Sequence, residues 1–118
     1  MNPNIRKKVL DKYNKKCAYC GKEILMDEMK IDHYVPKSKG GTDDLDNLLP
    51  ACDICNHYKD SHNINKFKYL LLNIIKKIKK LYIVKVAMRY ELIEFKEFSE
   101  FYYERLFSDT TDNENHKS

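Results

Sequence analysis

Hydrophobic and polar positions change rhythm three times along this chain. Between Pro3 and Asn14, Ile5, Val9 and Leu10 fall on one helical face, with Lys7, Lys8 and Lys12 elsewhere. That spacing predicts a helix opened by Asn2 or Pro3, since proline is tolerated in a first turn. Glu23 to Met29 mixes apolar and acidic residues without a clear period and reads as a loop or short strand. Lys30 to Pro36 predicts a strand that Pro36 ends. Lys37 to Thr42 is a loop in which Gly40 and Gly41 supply unusual backbone angles. Asp43 to Leu49 continues it, with Leu45 and Leu48 expected to turn inward. Leu48 and Leu49 suggest a short second strand before Pro50, and a helix is expected from Asp53 to His62.

The third rhythm begins at Asn65. From there to Phe107 there is neither glycine nor proline, and apolar residues recur at helical spacing from Phe67 through Ile75 and Leu92 to Leu106. One long helix or two packed helices would satisfy the pattern. The β-branched stretch Tyr82 to Val86 could be a strand or a break. The apolar face is wider than a lone exposed helix should carry. It has to pack on the N-terminal part, fold back on itself, or meet a second copy. Its aromatic residues read as core or interface. Ser108 to Ser118 is polar and acidic and reads as a disordered tail. The expected organisation is a module over residues 1–63, a helical extension over 64–107 and a tail over 108–118.

Charge sharpens this division. The 118 residues carry a net +4. Residues 1–63 hold 11 basic and 10 acidic groups, residues 64–90 hold eight basic groups and no acid, and residues 91–118 hold three basic and eight acidic groups. The +8 block, centred on Lys76, Lys77, Lys79 and Lys80, suggests a polyanionic partner, although lysine-rich faces are also ordinary solvated surface. Nineteen of the 22 basic residues are lysine. Lysine is a point charge, whereas arginine makes the bidentate base contacts that read sequence. The composition therefore favours contacts to a nucleic-acid backbone. No apolar run is long enough for a membrane-spanning helix, and no signal-peptide stretch follows the N-terminus, so a cytoplasmic location without membrane contact is expected.

The four cysteines stand in two close pairs, Cys17-x2-Cys20 and Cys52-x2-Cys55. Outside a secreted chain such pairs read as metal ligands rather than disulfides. Two knuckles about thirty residues apart can close one tetrahedral four-thiolate zinc site. Gly21 follows the first pair and lets the backbone curl so that amides face the thiolates. Such a site leaves no open position for catalysis. Its binding energy, on the order of 10–16 kcal/mol in small modules, can decide whether the N-terminal half folds.

Between the pairs lies Ile31-Asp32-His33-Tyr34-Val35-Pro36. Consecutive strand residues point to opposite faces, so Asp32 and His33 suit different roles. A carboxylate can hold a hard divalent cation, and an imidazole can take a proton from water. Phosphodiester hydrolysis uses both. Alone, an Asp-His dipeptide says little.

Its company says more. Asp32-His33-x2-Pro36-x3-Gly40-Gly41, then Asn47-Leu48, then Cys52-x2-Cys55-Asn56-x2-Lys59, resembles the HNH endonuclease family in its zinc-stapled, H-N-N form. The resemblance spans Cys17 to Lys59. It implies a ββα-metal (His-Me finger) core with a four-cysteine zinc site; together with the N-terminal helix and the long C-terminal helical segment read from the periodicity, the expected fold class is α+β. It implies His33 as the general base, Asn47 as the brace of the loop, and Asn56 sharing a catalytic ion with Asp32. An amide oxygen is a hard neutral ligand, so that ion is expected to be magnesium or manganese. His57 competes with Asn56, which directly follows Cys55 as the family pattern requires. Asp60 is a candidate further ligand, Lys59 a candidate phosphate contact, and His62 reads as a surface residue.

The expected activity is metal-dependent hydrolysis of nucleic acid, most readily double-stranded DNA, leaving 5′ phosphates. The alternative is a non-catalytic zinc module that binds nucleic acid or protein. In either case the C-terminal helices could pair two copies or join a larger system.

Overall fold

The fold was taken from a computed structural model, which describes residues 1–107. The expected acidic tail, 108–118, lies outside the described residues. The chain forms two compact units: residues 1–64 together with the chain from Glu100, and residues 65–99.

In the first unit, helix α1 (Pro3–Lys12) begins where Asn2 accepts a hydrogen bond from the Ile5 amide at 2.9 Å, with Pro3 in the first turn. Its face carrying Val9 and Leu10 is buried. The chain reverses at Asn14 and Lys15, both at positive φ (59° and 61°), and enters the first cysteine pair. Strand β1 (Lys30–His33) pairs antiparallel with β2 (Leu48–Ala51), placing Asp32 opposite Leu49 and His33 opposite Leu48. Helix α2 (Asp53–Lys59) follows and packs on β1. These three elements make a ββα unit.

Tyr34 N–H still reaches its in-register partner, the Asn47 carbonyl, at 2.9 Å, but the Asn47 amide donates to the Asp44 carbonyl at 2.8 Å and returns no bond, so β1 stops at His33, short of Pro36. β2 runs through Pro50, which needs no ladder amide and whose carbonyl accepts from Ala18 N–H at 2.8 Å. All four β2 residues are buried. Leu45, expected inside, is 41% exposed, since the short turn Leu45–Asn47 lifts it away, while Leu48 takes the inward position.

Residues 100–107 belong with this unit. The amides of Tyr102 and Tyr103 donate to the carbonyls of Tyr19 and Ala18 at 3.0 and 2.8 Å, and the side chain of Phe101 is buried. Residues 102–107 are helical.

The second unit is neither one long helix nor two. It contains α3 (Ile64–Leu72, whose first residue belongs to the first unit), α4 (Ile74–Ile78) and α5 (Tyr82–Arg89). Asn73 separates the first two and donates its side-chain amide to the Tyr69 carbonyl at 2.7 Å. Leu81 is extended and breaks the chain before Tyr82, so Tyr82 to Val86 is helical rather than a strand. Glu91, at φ 57°, ends α5, and residues 92–99 are irregular. Phe98 lines one cavity with Leu71, Leu72 and Ile75, a fold-back that one continuous helix would forbid. No described helix is long and apolar enough to cross a membrane.

Candidate active site

The two cysteine pairs come together as their spacing predicts. The four sulfurs of Cys17, Cys20, Cys52 and Cys55 lie within 4.8 Å of one another, with Cys20 and Cys52 at 3.8 Å. Zinc–sulfur bonds of about 2.3 Å in a tetrahedron put sulfurs about 3.8 Å apart, so the cluster fits a structural zinc ion. Gly21 makes the knuckle turn at φ 78° and donates its amide to the Cys17 carbonyl at 3.0 Å. The Cys55 amide donates to the Cys52 sulfur at 3.4 Å. The thiols compete for one negative charge. The Cys55 thiol, donating to Cys17, brings that group down to about 5, and this same interaction pushes Cys55 upward. Burial pushes Cys20 to about 11. Four thiolates at this spacing need a cation among them.

Asp32 and His33 face opposite ways along β1. Asp32 is buried. Its Oδ2 accepts from the Tyr19 hydroxyl and pairs with the Lys59 ammonium at 3.1 Å. Oδ1 takes no hydrogen bond from any described residue. No buried side-chain polar atom among those residues lacks a partner, so the carboxylate's small exposure lies at Oδ1. Burial, then the nearby Asp32 charge, pushes the Tyr19 phenol far above its ordinary range, so it stays a donor. Lys59 is fully buried and also donates to the His33 carbonyl at 3.2 Å. Its ammonium is thus turned inward onto β1.

His33 is half-buried, with Nε2 2.8 Å from Oδ1 of Asp43. Lys37 holds the other Asp43 oxygen at 3.0 Å. The hydrogen bond to His33, then that to Lys37, lowers the Asp43 carboxyl below its usual value.

Asn47 braces the loop between the strands. Its Oδ1 accepts from Val35 N–H at 2.8 Å, and its Nδ2 donates to the carbonyls of Val35 and Thr42 at 3.1 and 2.8 Å. Gly41 is required for this closure, because a Cβ there would lie 1.7 Å from the Val35 oxygen.

Asn56 lies one turn before Lys59 on α2. Residues three apart share a helix face, so it belongs to the side that Lys59 turns toward β1. Its side chain has no partner among the described residues. His57 and Asp60 are exposed, and Asp60 caps α2 at φ 51°. Lys76, Lys77, Lys79 and Lys80 lie in the second unit and are exposed. Lys79 lies over the Phe95 ring at 5.5 Å. Tyr19 and Asp43 escaped the sequence reading. Tyr19 is hidden inside a cysteine pair, and Asp43 meets His33 only through loop geometry.

A ββα unit of this kind, stapled by four cysteines and carrying Asp-His on its first strand, defines a class of nuclease domain. Residues 17–69 match the family model for HNH endonuclease. Among curated proteins, the chain is 37% identical over 51 residues to the CRISPR-associated endonuclease Cas9 of Corynebacterium diphtheriae, covering 42% of this chain and 5% of that one. It is 36% identical over 70 residues to the Septu protein PtuB of Bacillus thuringiensis, covering 54% of this chain and 26% of that one. The chain thus spans about a quarter or less of these relatives. Among solved structures, the type II-C Cas9 from Actinomyces naeslundii matches with a TM-score of 0.49 and 28% identity, over 53% of this chain and 7% of that one.

Proposed function

We propose that the chain is a metal-dependent endonuclease that hydrolyses phosphodiester bonds in DNA. The observation that carries this is the division of labour on β1: a half-buried histidine partnered by a carboxylate on one face, and a carboxylate with one open oxygen on the other. With the Nε2 proton donated to Asp43, Nδ1 of His33 keeps its lone pair and takes the proton from the attacking water. Asn47 fixes the loop that carries Asp43, and so fixes where the imidazole points. Oδ1 of Asp32 and the carboxamide oxygen of Asn56 are hard donors that suit magnesium or manganese. Bound there, such an ion would neutralise charge on the departing 3′ oxygen. Asn56 is preferred to His57 because it shares the face of Lys59. The products carry 5′ phosphates.

The exposed lysines 76, 77, 79 and 80 suit contacts to a duplex backbone. One such site cuts one strand, so double-strand cleavage takes two events or two copies paired through the C-terminal helices.

The test is plasmid incubation with magnesium or manganese, with and without chelator. Wild-type chain nicks the plasmid and His33→Ala does not, while zinc content and fold stay intact. Normal nicking by His33→Ala overturns the base assignment. One observation favours a second reading, a zinc module that binds without cutting: Asp32 already has a cation, Lys59, on Oδ2. Absence of nicking with either ion would support it.

A further inference from the structure

Both donors to Asp32 converge on a single oxygen. Tyr19 O–H and Lys59 Nζ meet Oδ2, and Oδ1 stays open. A carboxylate held this way can offer only one oxygen to an ion, in one orientation. Lys59 comes from α2, inside the segment shared with HNH domains. The support of Tyr19 comes from elsewhere. Its ring packs edge-on to Phe101 and Tyr103, with centroids 5.3 and 6.1 Å away. Phe101 stacks on Tyr103 at 5.7 Å, and Tyr103 meets Tyr34 edge-on at 5.8 Å. The amides of Tyr102 and Tyr103 fix the Ala18–Tyr19 backbone.

We propose that Tyr19 is a positioning residue for the catalytic ion, and that residues 101–103, outside the matched stretch 17–69, complete the nuclease site by holding it. The inference rests on Asp32 being an ion ligand. Tyr19 touches neither substrate nor ion. Its hydroxyl clamps Oδ2, so that Oδ1 faces outward before any ion arrives. A freed carboxylate would swing, and ordering it again would weaken binding. Partners that orient a metal ligand are typically worth 10–100-fold in metal affinity.

The experiment measures manganese binding to the full zinc-loaded chain by the loss of the free-ion electron spin resonance signal. It compares wild type, Tyr19→Phe, Tyr103→Ala and Asp32→Asn. Tyr19→Phe keeps the ring and its packing, so zinc content and melting behaviour should stay close to wild type while manganese affinity falls about 10-fold or more. Tyr103→Ala removes a ring that Tyr19 leans on and should weaken manganese several-fold with zinc retained. Asp32→Asn should lose measurable binding. If Asp32→Asn loses binding but Tyr19→Phe stays within twofold of wild type, the positioning role is overturned and the ion site stands. If Asp32→Asn binds manganese as wild type does, the ion reading itself falls, and this inference with it.

Discussion

Lys59 and Asp32 form an ion pair at 3.1 Å in which the lysine is fully buried and the aspartate side chain is 8% exposed. The pair ties α2 to β1 at the point where the two carry their polar residues. Tyr19 adds a third polar group to the same oxygen, so the site is held from the helix, the strand and the cysteine knuckle together.

The first prediction concerns this pair. Removing one partner of a buried ion pair leaves the other charge desolvated and typically costs about 3–5 kcal/mol. Lys59→Met should destabilise the zinc-loaded chain by that order, read from urea unfolding. Asp32 keeps the Tyr19 hydroxyl and a little solvent, which places the expected value near the lower end. Pairing Lys59→Met with Asp32→Leu should recover part of the loss, because no charge is then stranded. A single variant within 1 kcal/mol of wild type would contradict the pair's structural weight.

The second concerns the loop. Gly41→Ala would drive its Cβ into the Val35 carbonyl at 1.7 Å, a backbone atom that Asn47 already holds. The turn must open. Amide exchange over residues 34–47 should quicken sharply in Gly41→Ala, and cleavage should fall even though no catalytic group has changed. Asn47→Ala breaks three hydrogen bonds to the same loop and should show the same pattern. It should cost about 1–3 kcal/mol, the usual penalty for leaving donors and acceptors unmatched. Unaltered exchange in both variants would show that the loop does not depend on this brace.

Local pattern carried some of this architecture and not the rest. The Asn2 cap, the cysteine pairs and the Asp-His strand were legible because each is a short-range signal with its own chemistry. Asp43 was not, since its meeting with His33 depends on how the 34–47 loop closes. Nor was the pairing of Lys59 with Asp32: the lysine reads as a candidate phosphate contact until the partner that buries it is known. The run after Asn65 misled for a physical reason. Without glycine or proline it reads as one helix or two, yet helix ends need neither. Glu91 takes positive φ and Leu81 an extended conformation, neither of which the residue types announce. The docking of Phe101 onto the cysteine knuckle is a contact across some eighty residues, and no periodicity reports it.

The third prediction is metal removal. The cysteine cluster joins the turn before β1 to the start of α2, and Cys52 also caps that helix. Zinc at such a site is folding free energy. Stripping it with a strong chelator, or making Cys52→Ser, should unfold the first unit, seen as lost near-ultraviolet tyrosine dichroism. Magnesium should not restore the signal, and zinc should. Persistence of the signal in the stripped chain would sink the staple role.

The fourth is a pH dependence. His33 and Lys37 lower the Asp43 carboxyl, so its folded value lies beneath its unfolded one. Such a group contributes stability above the unfolded value, near 3.8. The contribution fades as pH falls through the folded value. Asp43→Asn should therefore lower the melting temperature slightly at neutral pH. That difference should shrink below about pH 4, the ordinary carboxylate range, because the wild-type carboxyl is then protonated too. The same variant should slow cleavage at neutral pH by leaving the imidazole unoriented. A melting difference that grows on acidification would reverse the sign of the argument.

The last concerns the exposed lysines of the second unit. Each phosphate neutralised on B-DNA adds about 0.9 to the slope of log affinity against log salt. If Lys76, Lys77, Lys79 and Lys80 all lie along the duplex, changing the four to glutamine should flatten that slope by up to about 3.6. Lys79 lies over the Phe95 ring, which draws its ammonium toward its own unit, so a smaller change, nearer three contacts, is the closer expectation. Because lysine contacts the backbone and not base edges, the loss should be the same for unrelated duplex sequences. Fluorescence anisotropy with two such duplexes across a salt series decides it. An unchanged slope would remove these lysines from the DNA track and leave their face open to a protein partner. A loss confined to one duplex would mean that they read sequence.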